Sequence, residues 1–241
     1  MVALRVAYRV YTTTPVSTRR RNLTDVIFIG GSAGDDRQFR RTFVSANGKA
    51  YSDAAVLLLL EVKKGFDIIK TQSFRALDKM LVATKVDEAQ RRVDQFNHRP
   101  AVQAYADALG IPVTAIAGCA RKHPLGLMVA GEPYVRSPQH VEGESMVFFC
   151  NIKEGMELRV LASTDIVADT KQALAAKARE WGPMAGILDF DCILRTMELE
   201  QENRCVPYGE LFAGIPTAGF STYGEEYMGH INQTATMLVL K

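Results

Sequence analysis

DVIFIGGSAGDD at residues 25–36, running on into RQFRRTFVSANGKAYSDAAVLLLLEV at 37–62, holds the choice between two folds. A strand followed by a glycine-rich turn cradles phosphate when a helix comes next and aims its amides at the anion. No helix is readable here. Asn47-Gly48, set between two β-prone runs, is a strong signal for a type I′ hairpin. The glycines therefore feed a hairpin, and a dinucleotide site is rejected. They serve a sharp turn or a close backbone approach, with Asp35 or Asp36 as secondary binding candidates. Phosphoryl transfer falls on the same ground, because the turn has no Lys-Ser/Thr partner and no following helix.

Working outward, strands are expected at 54–62 and 66–74, then, after the segment 81–87, a helix over 88–96. Pro100 opens a second helix that Gly110 closes. After a connection over 111–122 come short strands at 125–130, 133–136, 146–152 and 156–162. Ser163, Thr164 and Asp165 offer cap oxygens to a helix over 166–180, ended by Gly182-Pro183. A buried strand at 185–190, a mostly helical run over 192–212 and strands at 218–221 and 234–240 complete the chain. This predicts an α/β (α+β) fold: two linked units of mixed, largely antiparallel sheet with flanking helices. The expected divisions are an irregular tail at 1–22, one unit at 23–115 and a second at 116–241.

The 241 residues carry a formal net charge of +2. Residues 1–21 contribute Arg5, Arg9, Arg19, Arg20 and Arg21 with no acid, so the remainder is slightly acidic and has no basic footprint for nucleic acid. No apolar run reaches the length of a membrane span, and the N-terminus lacks the core of a signal peptide. The cysteines at 119, 150, 192 and 205 form no CxxC pair, so zinc ligation is not expected. These features are those of a cytoplasmic protein with reduced thiols.

A second run, GFSTYGEEYMGHINQT at 219–234, concentrates glycines, tyrosines, carboxylates, His230 and Asn232 downstream of DCILR at 191–195. Polar loops of that density are more often sites than spacers. Cys192, His230 and Asp191 or Glu225 supply the residue types of a thiol enzyme, with Arg195 one helical turn from the thiol. A buried Cys192, with Arg195 paired to Glu225 or Glu226, is the favoured reading of the same residues.

The order and spacing of several motifs resemble the FIST family of bacterial sensory domains. They are the GGSAGDD turn, SDAAVLLLL, RPAVQAYADALG, His123-Pro124-Leu125, YVRS at 134–137, DCILR, GFSTYGE and HINQT. The resemblance covers roughly residues 26–241 and implies a complete C-terminal half with a truncated N-terminal one. A fragment or a misassigned start would leave a sheet edge exposed. It also implies non-enzymatic ligand sensing in bacterial signal transduction. A histidine kinase, diguanylate cyclase or similar output protein would act in trans.

The ligand implied is a small molecule. The sub-group with these motifs resembles nitric-oxide-sensing haem proteins, for which His123 is the preferred iron ligand over His230. The alternative is an amino-acid-type ligand without haem. Arg195, Tyr223 and Glu225 would grip its carboxylate and amine, with His230, Asn232 and Cys192 beside them.

Overall fold

A computed structural model describes residues 2–7, 27–227 and 229–241. The chain forms two compact units, Met1–Ser73 with Asp165–Lys241, and Phe74–Thr164. The fold is mixed α and β with mostly antiparallel sheet, as expected. The first unit is assembled from both ends of the chain, because the strand Thr234–Leu240 pairs with Phe66–Gln72 along its whole length.

The first unit has the small hairpin Val44–Ala46/Lys49–Tyr51 and two larger sheets. One runs in the order Thr217–Thr222, Gly186–Cys192, Thr234–Leu240, Phe66–Gln72. The other runs His230–Ile231, Glu225–Tyr227, Ile27–Ser32, Val2–Ala7, Ala55–Leu60. Strand alternation sends Leu188 and Phe190 to one face of Gly186–Cys192 and Ile187, Asp189 and Asp191 to the other. Phe190 and Leu238 pack with Ile29, Leu60 and Phe66 between the sheets. Ile187, Met237, Val239 and Ile69 meet Leu174 and Trp181 of the helix Ile166–Trp181 on the far face. Asp165 caps that helix, its side chain accepting from the Ala168 amide.

Within the segment 1–22, Val2–Ala7 pairs parallel to Ile27–Ser32 and antiparallel to Ala55–Leu60. The rest of that segment, 8–22, lies outside the described residues.

The second unit is one antiparallel sheet in the order Glu132–Arg136, Leu125–Val129, Glu157–Ser163, Phe74–Asp87, Arg92–Phe96, Ser145–Phe148, Pro138–Glu142. The helix Ala101–Leu109 covers it, with Ala101, Ala104, Tyr105 and Ala106 buried against Phe96, Phe148 and Leu158. Pro100 precedes this helix, and Gly110 ends it in the left-handed region at φ 69°.

The helix expected over 88–96 is not formed. Residues 88–91 turn, and Arg92–Phe96 is a strand returning along Phe74–Asp87. EAQRRVDQF has fair helix propensity, but burying Val93 and Phe96 in the sheet core outweighs it.

Candidate functional site

Gly186–Cys192 and Thr217–Thr222 are parallel neighbours whose C-terminal ends lie side by side, Cys192 opposite Thr222. Ligands of α/β sheets gather beyond the carboxyl ends of parallel strands. From these two ends the chain leads directly into the helix Ile193–Gln201 and the turn at Tyr223 and Gly224. The structure thus brings Asp191, Cys192, Arg195, Tyr223, Glu225, His230 and Asn232 into one unit.

Arg195 stands one helical turn beyond Asp191 and is 1% exposed. Its Nε donates to Asp191 Oδ1 at 2.7 Å, one terminal nitrogen to Thr170 Oγ1 at 3.1 Å and the other to Ser73 Oγ at 3.4 Å. The guanidinium also lies 5.8 Å from the centre of the Tyr208 ring. Arg195 therefore pairs with Asp191, not with Glu225 or Glu226. It ties the strand Gly186–Cys192 to two helices and to the residue that follows Phe66–Gln72. Thr196 adds a second link, its hydroxyl 2.7 Å from Ser221 Oγ.

Asp189 shares the face of Asp191. It is 9% exposed, and its buried Oδ1 meets no hydrogen-bond donor among the described residues. Burial, then the charge of Asp191, lift its carboxyl to about 8 against the pull of Arg195. Asp191 is also pushed up by burial, but the guanidinium and the hydroxyls of Tyr208 and Thr196 favour its charged form. Of the two, Asp191 holds the charge that matches Arg195 and Asp189 takes the proton.

Glu225, on the neighbouring sheet, is fully buried. Its oxygens accept from Thr222 Oγ1, from Thr234 Oγ1 at 2.6 Å and from the Thr234 amide at 3.2 Å. Burial raises its carboxyl to about 8, and these donors restrain the rise.

Cys192 precedes the helix Ile193–Gln201 with its thiol buried. Burial, then the nearby Glu225 carboxylate, push the thiol well above the ordinary range. Arg195 does not lower it, its charge being directed to Asp191.

The glycine turn and the GFSTYGEEY run meet. Glu225–Tyr227 pairs antiparallel with Ile27–Ser32, Glu225 opposite Gly31. A Cβ on Gly31 would come within 2.3 Å of Thr222 Cγ2, so close approach accounts for that glycine. Tyr223 donates from its hydroxyl to Asp35 Oδ1 at 2.7 Å, accepts from the Arg37 amide at 2.6 Å and stacks on Phe39. Asp35 also accepts from the amides of residues 39, 40 and 41. These bonds overcome the upward effect of burial and hold its carboxyl at about 2. Asp35 is thus committed as a staple of the turn.

The His230 ring lies against Gly224, where any Cβ would come within 2.0 Å of Nε2. Asn232 is buried, and its Oδ1 finds no donor among the described residues. His123 belongs to the other unit. Its Nδ1 is 3.2 Å from the Leu161 carbonyl oxygen, and its own carbonyl accepts from the Tyr105 hydroxyl.

A cavity of about 600 Å³ in that second unit is bounded by Met80, Leu127, Met128, Asp78, Glu157 and Arg159. It contains none of the expected site residues. It opens where an irregularity in the pairing of Phe74–Asp87 with Glu157–Ser163 shifts the register.

Among the described residues, no three His, Cys, Asp or Glu side chains are grouped to hold a metal ion. No helix among them is long and apolar enough to cross a membrane.

Asp189, Thr170, Tyr208 and Ser73 were not identified from the sequence. The signal for Asp189 was present in ILDFDC, where acids occupy alternate positions of an otherwise apolar strand.

A family model described as the FIST C domain matches residues 101–228, and one described as the FIST N domain matches residues 16–99. An uncharacterized protein of Methanocaldococcus jannaschii is 30% identical over 166 residues, covering 63% of this chain and 32% of that protein. The chain therefore spans about a third of the length of that relative. No solved structure matches.

Proposed function

The chain belongs to the FIST family of signal-transduction sensory domains, and on that premise we propose that it binds a small, amine-bearing molecule of the amino-acid type beside Asp189. Binding is relayed to a signalling protein in trans, such as a histidine kinase or diguanylate cyclase, in the cytoplasm. The observation that carries this reading is the imbalance around Arg195. Its hydrogen bonds run to Asp191, Thr170 and Ser73, while the buried Oδ1 of Asp189 has no donor among the described residues. A buried acceptor left unpaired costs about 1–3 kcal/mol, and an ammonium group of a ligand removes that cost. The ligand's amine, rather than its carboxylate, is the group this cluster takes. Sensing rather than catalysis accords with the buried, uncharged thiol of Cys192.

Thermal unfolding of the full chain against a panel of free amino acids and simple amines tests the reading. The expected result is a concentration-dependent rise in Tm with one class of ligand, abolished in a folded Asp189→Asn variant. Absence of stabilisation by every compound, or its persistence in the variant, refutes it.

Haem with nitric oxide is the other reading attached to the resemblance. His123 has one feature that suits it, since an Nδ1 held by the Leu161 carbonyl leaves Nε2 to face an iron. The cavity found in this unit lends that reading no support. His123 is not among the residues bordering the cavity of its unit, so that cavity offers no imidazole to a haem. An absorption spectrum with added haem checks this directly: a Soret band lost in His123→Ala would restore the haem reading.

A further inference from the structure

Ala55–Leu60, AVLLLL, is the last strand of its five-stranded sheet. It pairs with Val2–Ala7 on one side and with no described strand on the other. Its alternation is abnormal for an edge. Leu60 packs into the core with Ile29 and Phe190, as its face requires. Leu57 and Leu59 point the other way and are 64% and 61% exposed, and Leu58 is 49% exposed even on the core side. Phe43 and Tyr51, both exposed, extend the apolar surface through the adjoining hairpin Val44–Ala46 and Lys49–Tyr51. Sheet edges are normally protected by lysine, proline or a bulge. This strand has none of these over six residues.

We propose that this edge pairs with the same edge of a second copy, antiparallel, about a twofold axis through Leu58. The residue pattern selects that register. For the two sheets to join with both cores on one side, opposed residues must share a face, so their numbers must sum to an even value. Centring on Leu57 sets Asp53 opposite Glu61 of the other copy, twice, acid against acid. Centring on Leu59 sets Glu61 opposite Leu57. Centring on Leu58 opposes Leu57 with Leu59 on the outer face and Val56 with Leu60 on the core face. It also brings Asp53 to the end of the ribbon where Lys63 of the other copy lies, on both sides of the axis. Asp53 and Lys63 are exposed and flank the strand at equal distance from Leu58. A six-residue ribbon alone is smaller than the roughly 800 Å² per partner of a standard interface. The exposed Phe43 and Tyr51 supply further apolar area beside it. Because the pairing is isologous, it uses up the edge and closes at two copies.

Sedimentation equilibrium of the full chain over a range of concentrations tests this. The expected mass is twice the monomer's 26.6 kDa. Leu57→Lys, at an outward-facing site that does not touch the core, should give a folded monomer by circular dichroism. Lys63→Glu should weaken the dimer about tenfold, two weak attractions having become repulsions, and adding Asp53→Lys should restore it. A wild-type monomer at every concentration overturns the proposal. Protection of Leu57 to Leu59 from hydrogen exchange in that monomer would assign the cover to another segment of the chain. A dimer indifferent to both Leu57→Lys and Lys63→Glu, or open-ended assembly, overturns it equally.

Discussion

Both units bury hydrocarbon, but they differ in the polar and charged groups buried beside it. In Phe74–Thr164 the fully buried large side chains are hydrocarbon or aromatic, and Tyr105, Phe96, Phe148, Leu125 and Leu158 form one continuous cluster. The buried charged residues of the described chain, Asp189, Asp191, Arg195, Glu198 and Glu225, all lie in the other unit, as does every buried polar residue except Ser137. Burial of hydrocarbon stabilises without conditions of pH. Burial of charge is expensive unless paired, and is retained where a fold uses it. The core of the apolar unit is therefore indifferent to pH, and the charged unit is where a proton can change the state of the protein.

The largest test of that contrast sets two truncations side by side. Arg195→Met, which strands the Asp191 carboxylate in the interior, should cost about 3–5 kcal/mol by urea unfolding. Phe96→Ala, which leaves a cavity in the apolar unit, should cost a similar ~3–5 kcal/mol. The two should separate by pH. The Arg195→Met penalty should grow from pH 5 to pH 9 as Asp191 ionises, while the Phe96→Ala penalty stays flat. Parallel pH profiles would dissolve the distinction.

A subtler effect comes from Asp189 and Glu225, whose folded-state values of about 8 exceed those of ordinary carboxyls. Between roughly pH 4 and pH 8 the unfolded chain has lost these protons and the native one keeps them. The stabilisation is therefore complete below the unfolded value and declines as pH rises through the folded one. Asp189→Asn mimics the protonated form. It should be near neutral at pH 4 and stabilise by about 2–5 kcal/mol at pH 9, measured by denaturant midpoints at both pH values. Equal effects at the two pH values would show that Asp189 is charged throughout.

The smallest expected change is Tyr223→Phe. It removes the hydroxyl that bonds Asp35 and the Arg37 amide, and should cost about 1 kcal/mol. The Asp35 carboxyl, followed by NMR, should then titrate nearer the usual range. An unmoved Asp35 would mean that the amides of residues 39–41 hold the turn alone.

Much of this architecture was readable from short-range pattern. Asn47-Gly48 forms the two-residue hairpin expected, both residues at positive φ as a type I′ turn requires. Asp165 caps its helix, and Pro100 and Gly110 bound theirs. The polar run at 219–234 was recognisable by composition. Its meaning was not: the reading favoured Glu225 or Glu226 for Arg195, although Asp191 stands four residues before it, a spacing at which side chains can meet. That choice depends on which sheet each acid occupies.

Local elements were therefore settled by the chain itself, since turns, caps and helical periodicity depend on residues within about four positions of one another. Two other outcomes required the folded molecule. Residues 92–96 became a strand because Val93 and Phe96 meet a core built from distant segments. Asp189 sits 9% exposed with its Oδ1 unpaired among the described residues, on the strand face that packs against the helix Ile166–Trp181. Desolvation and sheet order are properties of the assembled chain, summed over contacts far apart in sequence, and no local spacing encodes them.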